Sequence, residues 1–286
     1  MHFAFFLKIY KESDDKVLLQ KIYDYVFRQM ELSVREIGYG DQSINKKMKD
    51  YLNLFYGIID KIHNWDNLNL ESKKKILLIF LDNGVNIDYL VEYFDKYKQF
   101  LLNNTLSKQG FRRSQNVLYR PACTDCNACL SARIVINNFK VSKSQKRLQK
   151  KNVIIKRIIV RPFAKKDHYA LFQQYIQARH KTGGMSDMSF YEFSSMVEDS
   201  KVSTKLIEYR DANSVLLGVC LTDVLDDGVS MVYSFFDPDF NQQSLGTHII
   251  LDHIEYAKEL DLSYVYLGYW VPGSKKMEYK SNFSGL

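Results

Sequence analysis

The chain has 286 residues, of which 46% are hydrophobic, 14% aromatic and 26% charged, with only 4 Pro. That apolar content can offset the entropy of ordering a core, which excludes a disordered chain, and the length fits one large domain or two small ones. The longest strongly apolar run, Ile76 to Leu81, has six residues, far short of the roughly 20 that cross a bilayer, so no membrane span is expected.

Phe3-Ala4-Phe5-Phe6-Leu7 has no basic stretch before it and no small-residue cleavage site after it, which argues against a secretory signal. Four Cys, three of them clustered, make no disulfide framework for a chain this long. They point to a reducing compartment, the cytoplasm.

In chain order, the first hundred residues read as helical. A helix is expected over about Val17 to Ile37, stopped by Gly38 and Gly40. The next is capped by Asp41 or Ser43 and carries Ile44, Met48, Leu52, Phe55, Ile59 and Ile62 at steps of three and four, one buried stripe. A third helix spans Ser72 to Asn83 and ends at Gly84, and a fourth opens at Asn86. Beyond Asn103 to Gly110, β-branched and aromatic alternation takes over, which sets the expected boundary. Three parts follow: a helical module 1–103, a basic Cys-containing segment 104–166, and a sheet domain 167–286.

Strands are expected at Val117 to Tyr119, Ala132 to Phe139 and Val153 to Pro162, then helices at Asp167 to Lys181 and Phe190 to Asp199. Strands at Thr204 to Arg210, Leu216 to Val224 and Val229 to Phe236 come next, with Asp227-Gly228 as a hairpin turn. A helix at Ser244 to Leu260 and a strand at Tyr264 to Trp270 complete the order. A strand, crossover helix and strand in one sheet predicts that the two flanking strands are parallel, with the helix start at a strand's carboxyl end. There Ser244 can cap the helix, and Gly246 lets a ligand approach the backbone.

Charge is segregated. Residues 1–103 are neutral, residues 108–166 carry 16 Lys and Arg against the single acid Asp125, and the remainder carries 9 basic and 17 acidic residues. A segment with a balance of +15 fits a polyanion, because each cation that neutralises a phosphate releases counterions. The alternatives are a solvated basic face and internal neutralisation by the acidic third that follows.

Inside that segment, Cys123, Cys126 and Cys129 have the C-x2-C-x2-C spacing with which thiols can converge on one metal or iron-sulfur cluster. A ferredoxin-type fourth Cys would fall at Arg133, so a remaining ligand must come from Cys220, a His or another chain. Three reduced thiols shaping a compact knuckle is the alternative.

Gly110-Phe-Arg-Arg-Ser-Gln115 and Tyr119-Arg-Pro-Ala-Cys-Thr-Asp-Cys-Asn-Ala-Cys129 resemble the bacterial aspartate/glutamate leucyltransferases, relatives of the arginyl-tRNA-protein transferases. So do Ala178-Arg-His-Lys-Thr-Gly-Gly-Met185, Ser230-Met-Val-Tyr-Ser-Phe-Phe-Asp-Pro-Asp239 and Tyr264-Val-Tyr-Leu-Gly-Tyr-Trp270, collinearly from about residue 105 to the end. The family carries an earlier Cys-Pro-Tyr element, and nothing like it precedes Gly110 here; it also continues into a short tail after the point where this chain stops. Separately, Arg28-Gln-Met-Glu-Leu-Ser-Val-Arg-Glu-Ile-Gly-Tyr-Gly-Asp41, with Phe55-Tyr-Gly57, resembles the ubiquinol-cytochrome c chaperone family over most of residues 2–103.

The expected fold class is α+β: the helical module, then, as the first resemblance implies, a mixed sheet of the acyl-CoA N-acyltransferase (GNAT-like) type. It implies transfer of leucine, or arginine, from charged tRNA to the α-amine of proteins that begin with Asp or Glu, marking them for degradation. No cofactor is required, since the ester already stores the energy of the new amide. Under that reading Arg179 or His180 holds the acceptor carboxylate, and Asp223 and Tyr233 serve the chemistry. Arg112, Arg113, Arg120, Ser244, Leu245, Gly246, Tyr279 and Lys280 meet the aminoacyl-tRNA. A second reading is a truncated, inactive, RNA-binding body joined to a module that assists bc1 complex assembly, with contact to cytochrome b or the ribosome. An acyl-CoA acetyltransferase is disfavoured by the lack of a glycine-rich pyrophosphate cradle before Gly246.

Overall fold

The computed structural model describes residues 1–10, 15–36, 41–81, 86–240 and 243–286. The chain divides into two compact units, Met1–Leu102 and Asn103–Leu286.

The first unit is helical: α1 (His2–Tyr10), α2 (Lys16–Glu36), α3 (Asp41–Ile62), α4 (Leu70–Phe80) and α5 (Ile87–Lys108), the last continuing into the second unit. The α3 stripe is inward as the periodicity requires, with Ile44, Phe55 and Ile62 buried and Met48, Leu52 and Ile59 packed on the core. The apolar start of the chain forms α1, whose Phe5 ring stacks on Phe94 at 4.9 Å and meets Trp65 edge-on at 5.1 Å. The Asn69 side chain caps α4 by accepting from Ser72 N, and Asn86 accepts from Tyr89 N at the start of α5. Ser43 lies inside α3 rather than capping it. Gly38, Gly40, Asn83 and Gly84, and the Asp41 side chain, fall outside the described residues.

The second unit begins with a short hairpin, β1 (Arg112–Ser114) and β2 (Val117–Tyr119). A mixed sheet follows, formed by β3 (Leu130–Val135), β4 (Lys156–Val160), β5 (Thr204–Arg210), β6 (Leu216–Val224), β7 (Gly228–Phe236) and β8 (Tyr264–Trp270), in the order β3-β8-β7-β6-β5-β4. Every pair is antiparallel except β7 with β8, which are parallel. The crossover between them is α9 (Leu245–Glu259).

Alternation along the strands assigns the two faces. Ile207, Cys220, Val229 and Val265 join Ile249, Ile250 and Ile254 of α9 in one core, while Leu206, Val219, Leu221 and Phe235 pack with Phe172 and Ile176 of α7 (Lys166–Arg179) and Phe193 of α8 (Phe190–Glu198).

Two local expectations change. The β6–β7 turn is centred on Asp226-Asp227, with Leu225 N donating to Gly228 O at 2.8 Å, and Gly228 already belongs to β7. Between β3 and β4 lies a helix, α6 (Lys143–Lys151), where only strands were expected. Its polar sequence carries no wide apolar stripe, but a capping box fixes its start: Ser142 accepts from Gln145 N and the Gln145 side chain accepts from Ser142 N.

Candidate active site at the parted strands

β7 and β8 pair at three positions only, Gly228 with Tyr264, Val229 with Val265 and Ser230 with Tyr266. Both strands run on from there. Each carries an extra residue just past the last pair, Val232 in β7 against β6 and Leu267 in β8 against β3. An unpaired residue bends its strand, and two at one level open a wedge between the strands. At the β8 bulge Gly268 has φ +81°, a left-handed backbone that a side chain would strain.

Two cations fill this wedge. Arg112, from the first position of β1, donates through Nη1 to Ser230 Oγ at 3.1 Å and through Nη2 to Met231 O at 2.6 Å, its guanidinium lying against Gly268. Lys280, in the short 3-10 turn Glu278–Asn282, donates to Leu267 O at 2.8 Å and Tyr269 O at 2.6 Å. They are 9% and 6% exposed. Burial, and then the charge of Arg112, pulls the Lys280 ammonium down to about 8; burial likewise lowers Arg112.

Arg113, the next residue of β1, faces β5 and β6. It holds Asp223 through two hydrogen bonds, Nε to Oδ2 at 2.6 Å and Nη2 to Oδ1 at 2.7 Å, while Thr204 Oγ1 donates to Oδ1 at 2.7 Å. These placements correct two expectations. Arg112 and Arg113 are internal struts tying the hairpin to the sheet rather than surface contacts for a polyanion. Asp223 is 1% exposed and committed to Arg113, so it does not stand open to an acceptor amine.

Around the wedge an aromatic and basic rim assembles from elements far apart in sequence. Tyr175 of α7 packs on Phe236 at 5.0 Å and on His180 at 5.6 Å, and the Arg179 guanidinium stands 5.1 Å from the Phe236 ring centre. Tyr233 is half-buried, its hydroxyl pushed up to about 12 by burial and then by Tyr175. Tyr279 is 44% exposed, and its ring centre lies 5.9 Å from Lys280 Nζ. His180 sits below its ordinary value because of burial and the charges of Lys276 and Arg179. Both influences favour the neutral imidazole, the form that can accept a proton.

At the start of α9, Ser244 is left-handed at φ 44° and its side chain makes no cap. Leu245 is buried, and a Cβ on Gly246 would meet the Phe236 ring at 3.1 Å. That glycine admits the Phe236 ring of its own chain.

The basic segment splits in two. Lys108, Arg113, Arg157 and Lys165 are neutralised by Asp226, Asp223, Asp252 with Glu259, and Glu208. Arg120 remains exposed, over the Phe111 ring at 5.2 Å. On α6, Lys143, Lys146, Arg147, Lys150 and Lys151 are exposed and spaced as one helical face, while Gln145 and Leu148 turn inward. The Asn152 cap of this helix donates to Gln243 O at 2.8 Å, which fixes the basic face beside the start of α9.

Cys123 and Cys126 face each other across a tight turn, and Cys129 lies in the irregular stretch leading to β3, all three exposed. Cys220 is fully buried in the sheet core, its thiol pushed up to about 12 by burial. Among the described residues no group of three or more His, Cys, Asp or Glu is arranged to hold a metal.

Sequence reading missed Tyr175, Phe236 and Lys276. Tyr175 was accessible through its position four residues before Arg179 on one helix face; Phe236 and Lys276 reach the rim only through the tertiary fold. Among the described residues, no helix is long and apolar enough to cross a membrane.

Comparison with known proteins gives a consistent result. Residues 167–286 match the family model described as arginine-tRNA-protein transferase, C terminus, and residues 83–147 match its N-terminus counterpart. Residues 1–64 match the ubiquinol-cytochrome C chaperone model. The aspartate/glutamate leucyltransferase of Dinoroseobacter shibae is 57% identical over 195 residues, and that of Ruegeria pomeroyi 59% over 187; each alignment covers 65% of this chain and 68% of the relative. That of Paracoccus denitrificans is 52% identical over 197 residues, with 65% and 70% covered. The solved structure of L-PGS from Bacillus licheniformis aligns at a TM-score of 0.37 and 13% identity, over 55% of this chain and 53% of that one.

Proposed function

Since the chain belongs to the family of the aspartate/glutamate leucyltransferases and arginine-tRNA-protein transferases, we propose that it moves leucine from leucyl-tRNA to the N-terminal α-amine of proteins beginning with Asp or Glu, in the cytoplasm, marking them for degradation. The observation that carries the substrate assignment is the 57% and 59% identity to relatives bearing that name. The second unit is, on this reading, a GNAT-like transferase. Its parallel β7–β8 pair joined by the α9 crossover, and the opening beyond Ser230 and Tyr266, support the comparison.

The reaction needs neither ATP nor CoA, because an aminoacyl ester is already activated. The protein's main task is to hold amine and ester carbonyl together, which can supply about 7–11 kcal/mol. Arg179, with Lys276 nearby, receives the acceptor carboxylate by charge, and neutral His180 takes the proton of the acceptor ammonium. Tyr233 and Tyr279 line the approach. The basic face of α6 and Arg120 hold the tRNA backbone by charge and shape, and the link from Asn152 to Gln243 directs that backbone toward the wedge. Asp223 serves by fixing the hairpin through Arg113.

Purified protein, leucyl-tRNA and peptides starting with Asp, Glu or Lys test the reading. A leucylated product with the Asp and Glu peptides alone is expected; no product from intact charged tRNA refutes it.

A further inference from the structure

Lys280 and Arg112 are both buried, and neither is ion-paired with a described carboxylate, in contrast to Arg113, which is held by Asp223. Leaving a buried cation without an acid is costly, and such costs are characteristic of sites that await a negative charge. The ammonium of Lys280 has three N–H donors. Two are used, on Leu267 O and Tyr269 O, which flank the Gly268 bulge where β8 leaves β7. One donor remains, on a side chain fixed to the mouth of the wedge by two backbone carbonyls.

We propose that Lys280 is a catalytic residue whose remaining N–H binds the carbonyl oxygen of the aminoacyl ester as that oxygen becomes an oxyanion, with Arg112 behind it as a fixed positive charge. This rests on the transferase reading above and names the group that stabilises its intermediate. The acceptor amine nitrogen forms a bond to the carbonyl carbon, and the C=O electron pair moves to the oxygen facing Lys280. The pair then returns, the bond to the tRNA ribose oxygen breaks, and the proton given up by the amine ends on that ribose oxygen. Lys280 keeps its proton throughout. The start of α9 is a poorer oxyanion site, since Leu245 is buried there and the Phe236 ring stands against Gly246.

The proposal has a pH signature. The acceptor must lose a proton to attack, so the rate rises with pH, whereas Lys280 must stay charged, so the rate falls above about pH 8. The groups around it are Arg112 from β1 and Tyr279 on its own turn, and Tyr279 in turn meets Tyr175 from α7 and Cys220 from β6. Cys220 is pushed up to about 12 by burial, and the tyrosines are raised by burial. None of them loses a proton near pH 8.

Single-turnover transfer from pre-charged leucyl-tRNA to an Asp-initiated peptide, measured on the full chain across pH 6–10, tests this. The native protein should give a bell. Lys280→Met should lower the transfer rate about 100-fold to 1,000-fold, as loss of one oxyanion donor does elsewhere, with peptide KM and tRNA Kd changed less than about threefold. Lys280→Arg should lose the alkaline fall. If the Met variant does not fold, judged by its melting transition, the native and Arg profiles decide.

A native profile with no fall above pH 8 overturns the proposal. So does a Lys280→Met chain that transfers at the native rate, or one that raises peptide KM with kcat unchanged, which would make Lys280 a carboxylate anchor. A native chain that transfers nothing refutes the transferase reading itself, a separate and recognisable outcome.

Discussion

Arg113 and Asp223 form a buried bidentate ion pair, Nε to Oδ2 at 2.6 Å and Nη2 to Oδ1 at 2.7 Å, that joins the β1–β2 hairpin to the centre of the sheet. Truncating one partner strands the other charge away from water, which typically costs 3–5 kcal/mol. Arg113→Ala should therefore lower the unfolding free energy by about 3 kcal/mol, read from the midpoint of urea denaturation of the sheet unit. A loss below about 1 kcal/mol would mean that water reaches the pair.

The exposed face of α6 gives a prediction about salt. Each phosphate contact adds about 0.7–0.9 to the slope of log affinity against log salt. Replacing Lys143, Lys146, Arg147 and Lys150 together by Ala should flatten that slope for tRNA by about 3–4 and weaken binding at low salt. Melting temperature should hardly change, because these side chains are exposed. An unchanged slope would place the RNA elsewhere.

Gly268 and Gly273 make an internal comparison. Both have positive φ, +81° and +78°, so Ala costs about 1–2 kcal/mol at either position. Nothing lies within 4 Å of a Cβ on Gly273, whereas one on Gly268 touches the Arg112 guanidinium at 3.4 Å. Both variants should lose similar stability, but only Gly268→Ala should also lose transfer activity, at least about tenfold; equal activities would separate the wedge from the chemistry.

His180 should titrate below 6.5 when its ring protons are followed by NMR, since burial and the charges of Lys276 and Arg179 all disfavour the imidazolium. Lys276→Ala should move the midpoint upward, because it removes one of those charges. A downward movement would contradict the placement.

On β5, burial pushes Glu208 upward, but hydrogen bonds from Arg210, Lys165 and His168 prevail and hold its carboxyl at about 2. A depressed carboxylate contributes stability that is present above its unfolded value near 4.5 and is lost as pH falls toward 2. Between those limits the native protein should take up close to one more proton on unfolding than Glu208→Gln, measurable as a steeper fall of stability with acid. Parallel curves would show that the network does not hold the charge.

Much of the framework was legible in the chain itself. The α3 stripe, the Asn86 cap, the strand alternation from Thr204 to Phe236 and the α9 crossover are local patterns, repeated every two or every three to four residues, and the structure follows them. The α6 helix escaped because its nine residues, Lys143–Lys151, carry little apolar periodicity, although the Ser142 and Gln145 capping box was there to be read. Arg112 and Arg113 looked like surface charge because composition cannot see their partners: Ser230 and Met231 are 118 and 119 residues away, and Asp223 is 110 away.

Sequence alone determined most of the helices and strands, the concentration of basic residues and the family strings, since each depends on neighbours within a few positions or on direct comparison of residues. The tertiary structure decided which charges are struts and which face solvent, and that Lys280 is buried at the mouth of the wedge. Those outcomes depend on burial and on contacts between elements, from the 11 and 13 residues that separate Lys280 from its acceptors to the 110 between Arg113 and Asp223, and a side chain's charge acquires its chemical meaning only once the surrounding fold sets its access to water and its partners.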